Sequence, residues 1–190
     1  MKIKTLAHLF QERVKAFGSK VALRKKDFGI WKEVSWEQYN QMVHYTACGL
    51  ISLGTRKDDA VSIIAKNRLE WFYANLAIMS IGARTVGIYT TNVTEQVEYI
   101  VKHSESKVFI AEDEEQLDKI LECRDNCPDL RWIIVIDPKG LRNFNDPMYL
   151  TWDELIRRGK ESARKETRLF LSYISQIKEN DICCLMYTSG

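Results

Sequence analysis

Between residues 61 and 136 the hydrophobic period of the chain switches repeatedly, and this restricts the fold more than any other feature. Four short strand-like runs recur: Val61–Ala65, Thr85–Tyr89, Lys107–Ala111 and the isoleucine-rich Trp132–Ile136. Between them lie stretches with helical spacing. Asn67 is placed to cap a helix carrying Trp71, Phe72, Leu76 and Met79 up to Gly82. Asn92, with Glu95 three residues on, opens a second in the manner of a capping box, with Val93, Val97, Ile100 and Val101 on its apolar face. Glu114–Cys123 makes a third. Strands joined through helices pair in parallel, because a tight turn cannot bring a parallel neighbour alongside. The expected fold is α/β: a largely parallel sheet with helices on both faces and right-handed crossovers. A last apolar run, Ile182–Tyr187, brings the sheet to at least five strands.

The flanks extend this plan. Ile3, Leu6, Phe10, Val14 and Phe17 recur at three or four residues, which predicts an amphipathic helix over 3–17. Val21–Arg24 and Ile30–Val34 sit either side of Asp27-Phe28-Gly29 and read as a short antiparallel strand pair. Ser35 reads as an N-cap for a helix with Tyr39, Met42, Val43, Ala47, Leu50 and Leu53, ended by Gly54. Residues 137–148 are loop-like, with Pro138, Gly140, Asn143, Asn145 and Pro147. A charged helix is expected over 151–171, beginning at Thr151, with Trp152, Leu155, Ile156 and Ala163 on one side. Gly159 weakens it by about 1 kcal/mol relative to Ala.

Charge and composition exclude several functions. Twenty-eight basic against 26 acidic residues leave +2, which gives no global attraction to nucleic acid. No run approaches the roughly 18 apolar residues of a spanning helix. Charge returns at Glu12 and Arg13, so no signal-peptide core is expected and the predicted location is the cytoplasm. Cys123 and Cys127 form a C-x3-C pair without a second pair, and Cys183 and Cys184 point to opposite strand faces; with Cys48 they read as reduced thiols, with no metal site. His8, His44 and His103 lie far from any nucleophile. Glu112–Glu115 reads as a helix start, where acidic side chains offset the dipole. The basic residues of 151–171 are interleaved with acidic ones, a solvated face whose second reading is contact with anionic lipid. Trp71, Phe72 and Tyr73 are adjacent, so a helix must leave one of them near the surface.

The chemistry lies in the last residues. No two glycines lie two apart and no Gly-Lys-Ser/Thr occurs, so neither common nucleotide fingerprint is present. What remains is Tyr187-Thr188-Ser189-Gly190, where a strand runs into hydroxyls and a glycine. There a backbone can turn tightly and aim amide and hydroxyl groups at an anion.

Three segments in fixed order resemble the adenylate-forming (AMP-binding) acyl-CoA synthetase family, and within it the long-chain fatty acid–CoA ligases. Val34-Ser35-Trp36-Glu37-Gln38-Tyr39 is similar to the family's early helix start. Asn67-Arg68-Leu69-Glu70-Trp71, leading into Leu76–Ala83 and Gly87-Ile88-Tyr89-Thr90-Thr91, is similar to its "N-R-P-E-W … G-A" segment, with Leu69 where proline is usual. Tyr187-Thr188-Ser189-Gly190 matches the opening of "Y-T-S-G-T-T-G-x-P-K-G". The resemblance implies an ATP-dependent ligase that forms an acyl-adenylate and then an acyl-CoA, using ATP, Mg2+ and CoA. It implies that Thr188, Ser189 and Gly190 begin the loop around the triphosphate. The family's acyl tunnel, its adenine-contacting acids and its catalytic lysine fall later than residue 190. The expectation is therefore an amino-terminal portion of the large AMP-binding domain over 1–190, truncated at the start of its phosphate loop. It has no catalytic residue of its own, is inactive alone, and meets fatty acid only through regions it lacks. Peripheral membrane contact is implied with the fatty substrate. The alternative is a non-catalytic interaction module, a homodimer formed through surface left uncovered.

Overall fold

A computed structural model of the chain describes residues 5–188. In chain order its elements are α1 (Leu6–Phe17), β1 (Val21–Asp27), β2 (Ile30–Ser35), α2 (Trp36–Ser52), β3 (Ala60–Ile64), α3 (Leu69–Ser80), β4 (Arg84–Ile88), α4 (Thr94–His103), β5 (Ser106–Ala111), α5 (Glu114–Cys123), β6 (Trp132–Val135), β7 (Tyr149–Thr151), α6 (Trp152–Lys165), α7 (Leu169–Gln176) and β8 (Cys184–Leu185). β1 and β2 pair antiparallel as a hairpin of their own. The other six strands form one parallel sheet in the order β7-β6-β5-β3-β4-β8.

β3 sits inside this sheet with all five residues buried. Its side chains alternate between two apolar cores. Val61 and Ile63 pack under α2, α3, α6 and α7; Ala60 and Ile64 pack under α4 and α5. Steps toward the β8 edge thus cross one face and steps toward the β7 edge cross the other, the segregation that crossovers of a single hand require. Buried hydroxyls within the sheet are satisfied in a chain: Ser62 Oγ to Ser106 Oγ at 2.7 Å, then to Ser104 Oγ at 2.7 Å, which donates to the Val101 carbonyl.

Local signals set many of the ends. Ser35 caps α2, accepting from the Gln38 N–H while the Gln38 side chain accepts from the Ser35 N–H. Asp113 caps α5 and Thr151 caps α6 through their side-chain oxygens. Gly54, at φ 96, closes α2 as its own N–H reaches the Ile51 carbonyl and the Thr55 N–H reaches Leu50.

Several expectations are corrected. Ile3 lies outside the described residues, and Leu6 is exposed; α1 buries Ala7 and Phe10. Asn67 does not cap α3: Arg68 takes that position without a side-chain bond. α3 is apolar nearly all round, so periodicity could not choose its inner face; Tyr73, Ala74, Ala77 and Ile78 are buried, while Phe72 is exposed. The expected Asn92/Glu95 start is shifted by one, because the Gln96 side chain accepts from the Val93 N–H; Val93 is exposed. The sheet gains β7, too short to read beside Pro147. Residues 151–171 are not one helix, since α6 ends at Lys165 and α7 begins at Leu169. Ile182–Tyr187 contributes only two residues of regular strand.

Gly159 is a packing requirement. A Cβ there would lie 1.8 Å from the Tyr45 carbonyl oxygen, and one at Gly49 would lie 2.6 Å from the Leu155 carbonyl oxygen. α2 and α6 therefore meet backbone to backbone. Gly159→Ala should destabilise by about 1–3 kcal/mol through overpacking, against the roughly 1 kcal/mol that Ala gains in an isolated helix. A urea midpoint at or above that of the parent chain would contradict the close approach.

His44 on α2 stacks on Phe170 of α7 with centroids 4.8 Å apart, and its Nε2 is buried without a hydrogen-bond partner among the described residues. Burial pushes this imidazole below its ordinary 6.5. Below that pH the unfolded chain takes up a proton that the folded chain resists, so stability falls on acidification through this window. His44→Phe should flatten the loss as pH falls below about 6.5 in thermal melts; an unchanged slope would contradict it.

Candidate functional site

In an open parallel sheet, ligands bind outside the carboxyl ends of strands whose outgoing connections leave on opposite faces. β3 sends α3 to one face, whereas its neighbours β4 and β5 send α4 and α5 to the other. The crevice is therefore expected beyond Ile64.

A cavity of about 680 Å³ begins there. Ala65, Lys66 and Asn67 arrive from β3, Tyr89 and Thr90 from β4, and Met186, Tyr187 and Thr188 from β8. It continues as a groove between α3 and β8, walled by Trp71, Asn75 and Met79 on one side and by Cys184 on the other. Its floor is β4, where Gly87 keeps the groove open: a Cβ there would meet nothing within 4 Å. Thr85 also lines it, with its Oγ1 buried and without a hydrogen-bond partner among the described residues.

Thr188 is thus carried to the crevice by a strand in parallel register with β4, Thr85 opposite Cys184 and Val86 opposite Leu185. The strand end is held by aromatic packing. Tyr187 lies edge-on to Tyr99 and His103 of α4, and its hydroxyl is 2.9 Å from His103 Nδ1. Burial and the neighbouring Tyr99 raise the Tyr187 phenol above its usual range, so it stays a neutral hydrogen-bonding group. Thr188 is exposed; Ser189 and Gly190 lie outside the described residues.

The opposite wall is held by Glu112, just after β5. One carboxylate oxygen accepts from the Lys66 N–H at 2.7 Å, and the other lies 3.5 Å from the Arg68 guanidinium, which also bonds Glu70 at 2.9 Å. Burial opposes the Arg68 charge, but Glu70, Glu112 and Asp137 outweigh it and raise its pKa. Glu112 is therefore not part of the helix start; Asp113 is the cap, and Glu112 ties the loop after β3 to β5. Sequence reasoning missed Glu112, Asn75 and Gly87. The isolated glycine inside an apolar strand was the available signal, as was the lone Asn75 in an apolar helix.

The chemistry available is anion recognition by the hydroxyl and amides that follow β8, beside a mostly apolar groove. Cys184 has its thiol pushed up by burial and by Cys183 next to it, so it is a poor nucleophile. No group of three metal-ligating side chains occurs among the described residues.

Comparisons with known proteins bear on the family and the fold. The family model described as "AMP-binding enzyme" matches residues 10–190. The long-chain-fatty-acid–CoA ligase ACSBG2 of Xenopus laevis is 35% identical over 186 residues, covering 98% of this chain and 24% of the relative. The Homo sapiens ACSBG2 is 32% identical, covering 98% and 27%. The chain spans about a quarter of the length of these curated relatives. Among solved structures, the anthranilate CoA ligase AuaEII in complex with anthranoyl-AMP matches with a TM-score of 0.80 and 25% identity, over 100% of this chain and 33% of that one. The A-PCP didomain of carboxylic acid reductase from Segniliparus rugosus shares the fold, with a TM-score of 0.80 at 19% identity over 100% of this chain and 30% of that one.

Glu112→Ala should cost about 1–2 kcal/mol, the scale of a charge-assisted hydrogen bond discounted for partial exposure, and should speed hydrogen exchange at the Lys66 amide. Unchanged protection at Lys66 would show that Glu112 does not hold the loop.

Proposed function

Because this chain belongs to the AMP-binding enzyme family, we propose that it forms the amino-terminal part of the adenylating domain of a long-chain fatty acid–CoA ligase. The observation that supports this most is the placement of Thr188, at the carboxyl edge of the sheet where strand connections diverge, combined with similarity to long-chain ligases over 98% of the chain. The reaction class is attack of a fatty carboxylate on the α-phosphorus of ATP with loss of pyrophosphate, then displacement of AMP by the CoA thiol. In this reading Thr188, Ser189 and Gly190 start the wrap around the triphosphate, and Glu112 and Tyr187 hold the two walls that face it. The apolar groove over Gly87 lies beside that wrap. Mg2+ would neutralise phosphate charge; its protein ligands and the CoA contacts belong outside residues 5–188. Location in the cytoplasm with peripheral membrane contact accompanies the reading.

A triphosphate needs a ring of donors, and the residues from Thr188 to Gly190 supply only its opening. The 190-residue chain by itself should therefore bind ATP no more tightly than millimolar, and should release neither AMP nor pyrophosphate from ATP and palmitate. Micromolar affinity by calorimetric titration would overturn the division of labour. The second reading, an interaction module acting alone, draws on exposed Ile182 and Met186 beside the short β8.

A further inference from the structure

The outer end of the β1–β2 hairpin stands away from both cores. From Arg24 to Glu33 every residue but Asp27 is exposed. At the turn Phe28 is 101% exposed, with Ile30 at 69% and Trp31 at 61%. Single exposed apolar side chains are ordinary, but three within four residues at one tip are not. The backbone adds a second observation. Phe28 holds φ 46 ahead of Gly29 at φ 83. A two-residue hairpin loop asks for left-handed backbone at both positions, and Asn or Asp before Gly supplies it at least cost. A bulky Phe is strained there, and being fully exposed it gains no burial in return.

The charges around the tip favour one kind of partner. Across the ribbon Lys26 faces Trp31 and Lys25 faces Lys32. Lys32 bonds Asp27, and Arg24 bonds Glu33, so those four charges cancel. Lys25 and Lys26 have no ion pair among the described residues and give the tip its positive sign. On α6 Arg157 and Arg158 are paired with Glu154, and Arg157 with Glu161 as well; Lys160, Arg164 and Lys165 have no ion pair among the described residues, but no large apolar side chain of that helix is exposed beside them. Ile30 and Trp31, adjacent on a strand, project from opposite faces with Phe28 at the end. That wedge suits a fluid medium that closes round it better than a groove that covers one face.

We propose that this hairpin tip docks on membranes bearing anionic lipid, with Phe28, Ile30 and Trp31 entering the interface and Lys25 and Lys26 meeting the headgroups. Aromatic side chains settle at the headgroup level, and a small apolar anchor holds a protein only when joined by basic residues. No helix among the described residues is long and apolar enough to cross a membrane; the contact is a surface one. It deepens the peripheral membrane contact of the proposed function by naming the surface that makes it, but it is argued from the hairpin alone, so its failure leaves the ligase reading intact.

Co-sedimentation of the 190-residue chain with sucrose-loaded vesicles tests it. The chain should bind vesicles of seven parts phosphatidylcholine to three of phosphatidylserine, and bind phosphatidylcholine alone far less. The double variant Phe28→Asn/Trp31→Thr and the double variant Lys25→Glu/Lys26→Glu should each weaken partition by at least about tenfold, as should half-molar salt. Phe28→Asn alone relieves the turn, so its melting temperature should equal or exceed that of the parent, separating lost binding from misfolding. Equal binding to both vesicles, no binding to either, or binding unchanged in the tip variant overturns the proposal. So does a dimer, seen by light scattering, that the same tip variant dissolves.

Discussion

β3 is bonded on both sides by strands running in its own direction, and neither can be reached through a tight turn. The chain must therefore cross a face of the sheet to reach β4 and cross the other face to come back to β5. That single requirement buries all of Ala60–Ile64, divides the helices between two cores and opens a crevice past Ile64. The loop after β3, Thr90 after β4 and Thr188 after β8 meet there because strands pointing one way deliver their ends to one edge.

What surrounds β3 differs in how firmly it is held. The α2–α6 contact runs through two glycines at backbone distance, so that face has no slack. The loop at Lys66 hangs from one carboxylate of Glu112. The β8 end is the lightest, two residues of strand pinned by Tyr187 against Tyr99 and His103. Recognition of an anion needs amides free of strand pairing, and Thr188 is the first residue past that pin. The apolar groove over Gly87 lies against the same edge, which brings a mostly apolar groove and the exposed Thr188 side by side.

Much of this was legible in the sequence. Ser35, Asp113 and Thr151 act through their own side chains on amides three residues away, so helix starts that depend on them are readable locally. Asn67 and Asn92 looked equivalent, but the chain enters α3 and α4 one residue later, and no short-range signal decides that. β7 and the break between Lys165 and Leu169 escaped because three residues beside a proline-rich loop, and a charged stretch, carry little periodicity. Gly159 reads as a weakness in sequence because its reason, the Tyr45 carbonyl, lies more than a hundred residues away. The site divides in the same way. The position of Thr188 at a strand end is legible because a strand precedes it in the chain. Gly87 and Asn75 stand out in sequence as a lone glycine in an apolar strand and a lone amide in an apolar helix, but their roles, like that of Glu112, exist only after the sheet has formed, because the crevice is assembled from separate strands and a helix.

The central claim is that β8 lies parallel beside β4 and so presents Thr188 at the carboxyl edge. Nuclear magnetic resonance of the 190-residue chain tests it most directly. The account predicts a slowly exchanging Thr85 amide, bonded to the Cys183 carbonyl at 3.0 Å, and interstrand Overhauser contacts in the parallel pattern linking Thr85 and Val86 with Cys184 and Leu185. A rapidly exchanging Thr85 amide with no contacts between the two strands, or contacts in an antiparallel pattern, would contradict it.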